Sequence, residues 1–460
     1  MERPSLHFTP RRNWMNDPNG LVRVGDAYHL FYQHNPDAVD HANLHWGHAS
    51  SPDLFTWTHL PVALSPDELG EIYSGTVVID DRNTAGFGAG AMVAIFTHAT
   101  PGTQSQSLAY SVDDGLTWEK YAANPVLDPP PGFANFRDPK VLWFEIDGER
   151  GRWVMGVAAG DEVRFYNSDD LKRWHEVSVF TPERPWPGAT FEVPELLRVP
   201  VTGEDREEWV LILSAHERRG DATVCSQVVW APGRFDGCSF AVDPQTGSMQ
   251  RLDHGPHFYA PLAWTNGPRG RPVLLGWMDE WGRYLAIPDQ PWCGRMSLPR
   301  ELALDSTPEG YTLVQRPLFP AGLLANGDRS DIAPGETRAL EPPGSFRLAI
   351  TAPRAASRYR VVLVPAAQPQ ETFELTSEGS VLTLHLTGSP GSGPVRVATG
   401  GADMLELEVV VDAGSIEVFI DGGAQVASFI NRFRAGALGA EITNGAKDPI
   451  RVEISQLGAS

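Results

Sequence analysis

Apolar and polar residues alternate over short windows through the first three hundred positions, as at residues 27–32, 76–80, 154–157, 209–213 and 273–277. A period of two fits strands with one face buried. Asp-Gly, Asn-Gly, Pro-Gly and Ser-Pro-Asp clusters separate these windows and supply the turns. No amphipathic stretch of a dozen residues interrupts them, so this part of the chain is predicted to be all-β. A motif recurs within it. Ser51-Pro52-Asp53-Leu54-Phe55-Thr56-Trp57 is similar to Ser111-Val112-Asp113-Asp114-Gly115-Leu116-Thr117-Trp118, and both to Ser168-Asp169-Asp170-Leu171-Lys172-Arg173-Trp174. The serines lie about 60 residues apart, the size of one four-stranded propeller blade. About 300 residues at that period give roughly five blades.

The pattern changes after Glu301. Residues 305–339 read as a linker, broken by Pro308, Pro317, Pro320 and Pro334. Alternating windows return at 346–350, 359–364, 381–386, 405–411, 415–420 and 450–454. Asp421-Gly422 gives a hairpin signal. The expected organisation is a five-bladed β-propeller over 1–304, a linker over 305–339 and a β-sandwich over 340–460. The sandwich is expected to pack against the propeller and to add stability rather than catalytic groups.

Composition narrows the partners. Glycine (45) and proline (39) make up roughly 18% of 460 residues against about 12% on average, which favours a turn-rich β fold. The net charge of −21 repels nucleic-acid phosphates and anionic lipid, so neither is an expected partner. Cys225, Cys238 and Cys293 are too few and too scattered for a disulfide framework or zinc cluster. No charged-then-apolar leader opens the chain, and no run such as 91–96 is long enough to span a bilayer. These features predict a soluble, cytoplasmic protein; a secreted chain whose leader had been removed would read the same way.

Three carboxylates stand apart from the many solvated ones. Asp17 lies in Trp14-Met15-Asn16-Asp17-Pro18-Asn19-Gly20, where an Asx turn competes with a pocket role. The bare Asn-Asp-Pro-Asn-Gly run favours the turn, and the large apolar pair Trp14-Met15, out of place beside a solvent turn, weakens that reading. Asp138 lies in Phe136-Arg137-Asp138-Pro139-Lys140, which alone reads as a local ion pair. Glu192 lies in Phe191-Glu192-Val193-Pro194-Glu195-Leu196, where apolar neighbours would desolvate it, raise its pKa and suit it to donate a proton; the segment alone fits an exposed edge-strand glutamate equally well. Glycosidic cleavage needs one ionised and one protonated carboxyl. Fourteen tryptophans supply faces for sugar stacking, although most belong to a core of this size.

These segments together resemble glycoside hydrolase family 32, the β-fructosidases: invertases, inulinases, levanases and related fructosyltransferases. The resemblance runs in order through Trp14 to Gly20, Tyr73-Ser74-Gly75-Thr76, Phe136 to Lys140 and Glu192-Val193-Pro194. It continues through Phe258-Tyr259-Ala260, Gly276-Trp277-Met278, Met296-Ser297-Leu298-Pro299-Arg300-Glu301 and Ser415-Ile416-Glu417-Val418-Phe419-Ile420. It implies a five-bladed propeller joined to a sandwich, retaining exo-hydrolysis of terminal β-fructosyl units of sucrose or short fructans, and no metal or organic cofactor. Carried over residue by residue, it makes Asp17 the nucleophile, Glu192 the acid/base and Asp138 the transition-state stabiliser. Asn16, Gln33, Trp46, Ser74, Arg137, Tyr259, Trp277, Trp14 and His41 would line the fructose pocket. Two positions depart from the family pattern: Val193 replaces a frequent cysteine, and His41-Ala42-Asn43 replaces a frequent Trp-Gly-Asn.

Other readings carry less. A fructosyltransferase of the same family would share the site. A non-catalytic sugar-binding propeller is opposed by the intact Asp17, Asp138 and Glu192. His41, His45 and His48 have ligand-like spacing, but residues 41 and 45 share a strand face that 48 does not, and no His-Glu-x-x-His occurs. Gly86-Phe87-Gly88-Ala89-Gly90 has the wrong spacing for a dinucleotide loop and reads as a turn.

Overall fold

A computed structural model describes residues 3–183, 189–219, 222–279, 290–324, 327–342, 344–354, 358–365, 371–388, 393–400, 403–431 and 438–457. Among these residues the helical pieces are two three-residue 3-10 turns, Pro268–Gly270 and Asp421–Gly423, and the rest of the regular structure is strand. No helix among them is long and apolar enough to cross a membrane.

The chain divides into two compact units. One holds residues 10–251 and 259–312, the other residues 1–9, 252–258 and 313–460. Five antiparallel sheets build the first unit as a propeller. Blade 1 runs through Asn13–Val24, Ala27–Asn35, His45–Ser51 and Thr58–Leu64; the short strand Trp292–Cys293 joins its first strand in parallel. Blade 2 follows with Glu71–Asp80, Ala91–Thr100, Thr103–Ser111 and Glu119–Lys120, and blade 3 with Phe136–Glu145, Gly151–Ala159, Glu162–Ser168 and His175–Phe180. Blade 4 comprises Ala189–Pro200, Glu207–Arg219, Ala222–Phe235 and Phe240–Val242, and blade 5 comprises Tyr259–Trp264, Val273–Trp277, Arg300–Thr307 and Gly310–Pro317. The first strand of each blade touches the first strand of the next, and blade 5 returns to blade 1. These five strands therefore line the axis.

The repeated serine-aspartate motifs sit between the third and fourth strands of blades 1, 2 and 3. In each, the serine hydroxyl donates to the aspartate, as from Ser111 Oγ to Asp113 Oδ1 at 2.8 Å. The aspartate then accepts backbone amides of the turn, and the tryptophan ring N–H donates back to a turn carbonyl, as from Trp174 to Leu171 at 2.9 Å. Blade 4 holds a reduced copy. Asp236 accepts from the amides of Cys238 and Ser239, with no leading serine or closing tryptophan to reveal it in the sequence.

The second unit is a sandwich of two six-stranded sheets. One has the order Asp328–Ile332, Ile450–Gln456, Phe346–Pro353, Met404–Asp412, Ser415–Ile420, Gln425–Ile430. The other has Thr337–Leu340, Leu438–Asn444, Arg358–Pro365, Phe373–Glu378, Val381–Leu386, Val395–Ala398. Strict alternation buries Phe346, Leu348, Ile350 and Ala352 from one strand into the shared core. Asp421 (φ 52°) and Gly422 (φ 65°) are both left-handed and open the four-residue loop that joins Ser415–Ile420 to Gln425–Ile430 as a hairpin.

Residues 305–339, expected to be a linker, carry strand structure instead. Arg300–Thr307 and Gly310–Pro317 close blade 5, while Asp328–Ile332 and Thr337–Leu340 are edge strands of the two sandwich sheets. The prolines that suggested a loop sit at strand ends or between strands, where no ladder hydrogen bond is lost. The glycine-rich segment 86–90 is a turn, closed by the amide of Gly90 on the carbonyl of Asp80.

Candidate active site

Each of the five axial strands breaks register near its start. The breaks fall between Met15 and Pro18, Ile72 and Gly75, opposite Arg137 to Lys140, between Glu192 and Glu195, and between Tyr259 and Leu262. Four share one local sequence, a residue pair followed by proline: Asn16-Asp17-Pro18, Arg137-Asp138-Pro139, Glu192-Val193-Pro194 and Tyr259-Ala260-Pro261. Proline has no N–H to continue a ladder, so the strand bulges there and turns its preceding side chains out of the pleat. Blade 2 has Tyr73-Ser74-Gly75, and a Cβ on Gly75 would lie 2.1 Å from the carbonyl oxygen of Ile95. Only glycine lets that bulge pass.

Asp138 (φ 62°), Val193 (φ 46°) and Ala260 (φ 50°) are held in left-handed backbone, a strained state for residues with side chains. Their amides, displaced from the ladders, find side-chain acceptors. The Asp138 amide donates to Thr97 Oγ1, that of Val193 to Asp138 Oδ2 and that of Ala260 to Ser214 Oγ, each at 3.0 Å. The bulges are thereby over-determined by neighbouring strands.

The outcome is a cluster of buried polar side chains. Asp17 is 7% and Asp138 5% exposed, and the Glu192 side chain 14%. Ser74 Oγ donates to Asp17 Oδ2 at 2.9 Å and Asn16 Nδ2 to Asp17 Oδ1 at 3.1 Å; Trp14 Nε1 fixes Asn16 Oδ1 at 2.7 Å. Gln33 lies opposite the Asn16-Asp17 bulge on the second strand of blade 1. Trp14 packs edge-on against Trp277 and His41, at 6.1 and 5.8 Å between centroids. Trp46 is fully buried and donates its ring N–H to the carbonyl of Tyr73. The expected site residues other than His41 thus lie on the bulges or on strands paired beside them, and His41 reaches them from a loop through Trp14.

Glu192 has the densest set of donors. Its Oε1 accepts from Arg137 Nη2 at 2.6 Å and Nε at 3.2 Å; its Oε2 accepts from Tyr259 Oη at 2.7 Å and meets His216 Nδ1 at 3.1 Å. Arg137 is oriented in turn by Asn135 Oδ1 and Gln104 Oε1. His216 and Gln104 had no sequence signal, because they reach the cluster from other strands and flank no proline-marked bulge; Asn135 lies one residue before the Phe136 to Lys140 motif.

The electrostatics follow from these partners. Burial, then the charges of Asp138 and Glu192, push Asp17 up to about 7 against the donors Ser74 and Asn16. Burial likewise pushes Asp138 up to about 6, with Arg137 opposing and Glu192 adding to the rise. Burial alone would also raise Glu192. Arg137, then His216 and Tyr259, outweigh it and hold that carboxyl well below the usual carboxylate range. This overturns the expectation that apolar neighbours raise Glu192. Phe191 points into the core of blades 3 and 4, so the flanking residues report the opposite face of the strand.

The three histidines weighed as metal ligands do not converge. His41 packs on Trp14, His45 pairs with the carbonyl of Asn43, and His48 stacks on Phe31 at 4.1 Å. Cys238 and Cys293 are free thiols, and the side chain of Cys225 lies outside the described residues.

Coupled carboxyls of opposite proton affinity at the mouth of a propeller axis, edged by indole rings, are the equipment of a sugar-cleaving hydrolase. The chain belongs to glycosyl hydrolases family 32, whose N-terminal domain model matches residues 7–317. It is 37% identical over 456 residues to a levanase of Bacillus subtilis, covering 93% of this chain and 66% of that one. It is 34% identical over 513 residues to an extracellular exo-inulinase of Aspergillus niger, covering 99% of this chain and 94% of the other. Among solved structures, the exo-inulinase of Aspergillus awamori superposes with a TM-score of 0.89 at 29% identity, covering 99% and 98% of the two chains. A fructofuranosidase of Schwanniomyces occidentalis complexed with fructose superposes with a TM-score of 0.84 at 27% identity, over the same shares.

Proposed function

We propose that this chain is a retaining, exo-acting β-fructofuranosidase that removes terminal β-D-fructosyl units from sucrose and short fructans of the inulin or levan type. The observation that carries the reading is the convergence of Asp17, Asp138 and Glu192 from blades 1, 3 and 4 into one coupled set. The names levanase and exo-inulinase borne by its relatives support the substrate class and the exo mode.

Asp17 attacks the anomeric carbon while Glu192 protonates the leaving oxygen; water then hydrolyses the fructosyl ester with Glu192 as base. Asp138 accepts hydrogen bonds from fructosyl hydroxyls and opposes the charge of the transition state. Without substrate Asp17 holds a proton more tightly than Glu192 does. Fructosyl hydroxyls donating to Asp17 and Asp138 add to the Ser74, Asn16 and Val193 donors already there, hold both ionised and leave the proton to Glu192. Asn16, Ser74, Arg137 and Tyr259 orient the carboxyls, and Trp14, Trp277 and His41 edge the sugar.

Three measurements test this reading. Retention requires β-fructofuranose as the first-formed anomer by NMR; first-formed α anomer would overturn it. Asp17→Asn should abolish turnover with the fold intact. Glu192→Gln should lower kcat/KM on sucrose by about 10²–10⁴-fold, but much less on 4-nitrophenyl β-D-fructofuranoside, whose leaving group needs no proton. The word extracellular in the names of the exo-inulinases supports secretion over the cytoplasmic reading, and cell fractionation decides between them.

A further inference from the structure

Glu192 must act as acid in one half of the cycle and as base in the other, so its neighbours must tolerate both protonation states. Arg137 meets Oε1 alone: a guanidinium only donates, and Oε1 can accept from it whether or not Oε2 carries the proton. The two groups on Oε2 differ from it in kind. A phenol and a neutral imidazole can each donate or accept. His216 Nδ1 lies 3.1 Å from Glu192 Oε2 and 3.4 Å from Tyr259 Oη, and its residue is 7% exposed. It stands on the second strand of blade 4, in register with Thr190 two residues before Glu192. The charged and titratable groups facing Glu192 are Arg137 and Asp138 from blade 3, Asp17 from blade 1, Tyr259 from blade 5 and His216 from its own blade; Tyr73 and His41 also feel its charge.

We infer that His216 is a positioning residue that lets Glu192 alternate between acid and base by exchanging the tautomer it presents at Nδ1. With Glu192 ionised, Nδ1–H donates to Oε2. With Glu192 protonated, the imidazole proton sits on Nε2 and the Nδ1 lone pair accepts from the carboxyl. Tyr259 remains hydrogen-bonded in both states. No proton is consumed: the one that Glu192 turns from Nδ1 to the leaving oxygen returns from water in the second half of the cycle, and the imidazole changes tautomer by giving its ring proton to water at one nitrogen and taking one from water at the other. This rests on the acid/base reading of Glu192, and the test separates the two.

His216→Phe and His216→Asn are compared with Glu192→Gln by kcat/KM on sucrose and on 4-nitrophenyl β-D-fructofuranoside. Phenylalanine can neither donate nor accept. Asparagine places an amide that can do both near the position of Nδ1. The expected result is a loss of at least about tenfold on sucrose for His216→Phe, with less than about threefold on the aryl substrate and most of the loss restored by asparagine. Retained turnover of the aryl substrate also shows that the variant is folded. Equal losses on both substrates, no loss, or no rescue by asparagine would overturn the role of His216. If Glu192→Gln shows no difference between substrates, the acid/base reading fails and takes this inference with it. If Glu192→Gln shows the difference and His216→Phe does not, the role of His216 alone fails.

Discussion

Asp17 is held in a state that costs the folded protein stability. Its pKa of about 7 stands well above the 3.8 of an aspartate in water, because burial and two neighbouring carboxyls disfavour its charge. The native state therefore binds this proton more tightly than the unfolded chain does. Stability falls as pH rises from about 4 to about 7 and stays lower above that range. At about 1.4 kcal/mol per pKa unit, at most about 4 kcal/mol is involved. Glu192 works in the opposite direction, with a lowered pKa whose contribution is present at neutral pH and lost only in acid. Asp17→Asn should thus raise the melting temperature by a few degrees at about pH 8 while abolishing turnover, the usual trade between activity and stability. It should also flatten the fall in stability between about pH 5 and pH 8. Calorimetry of both proteins at those two values checks it; a melting temperature unchanged or lowered at pH 8 would show that the buried charge costs nothing.

At the scale of elements, one segment of the sandwich unit is tied by a buried ion cluster. His7 places Nδ1 2.8 Å from Asp412 Oδ2 and Nε2 2.9 Å from Glu417 Oε1, with all three side chains shielded from solvent. Asp412 also accepts the amides of Ser5 and Leu6 at 2.8 Å. Burial disfavours charge on His7, but the two carboxylates outweigh it and raise the imidazole above 6.5. The contribution is therefore full below about pH 6.5 and is lost as pH rises through the higher native value. Hydrogen exchange at Ser5, Leu6 and His7, corrected for intrinsic rates, should lose protection as pH rises above about 6.5, and His7→Gln should remove that dependence. Constant protection in the wild type would dismiss the clasp. The sequence disclosed elements unevenly. The repeated serine-aspartate turns were legible because each is a closed local network. The bulges also had a local sign, a proline after each of four site pairs, that becomes apparent only when the blades are aligned. His7, His216 and Gln104 acquire partners 24 to 410 residues away, so no window of sequence reveals them. The environment of Glu192 was misread for a related reason: in a strand, flanking residues describe the other face.

The two units of the whole molecule do not follow the order of the chain. Residues 1–9 and 252–258 belong with the sandwich, although propeller segments surround the second of them in sequence. Residues 252–258 cover an edge. Gln425–Ile430 ends its sheet, and an uncovered edge strand is a template for aggregation. The amides of His254 and His257 donate to the carbonyls of Val426 and Ser428, Asp253 accepts from the amide and hydroxyl of Ser428, and His257 Nδ1 accepts from the amide of Ile430. The fit leaves no room for a side chain at Gly255, whose Cβ would lie 2.1 Å from the carbonyl oxygen of Ser428. Tyr259, the donor to Glu192 Oε2, follows one residue after this covering segment. Cutting the chain after Pro317, where blade 5 ends, therefore does more than remove the sandwich sheets. It strips the partners from Leu6, Asp253 and His257, all buried in the full chain, and frees the segment that leads directly into Tyr259. We expect residues 1–317 to aggregate, or, where soluble, to have a lower melting temperature and a reduced kcat on sucrose. We expect residues 318–460 alone to self-associate through the exposed Gln425–Ile430 edge. Light scattering, thermal melts and kinetics on both fragments test this; a soluble 1–317 fragment with the stability and activity of the full chain would refute it.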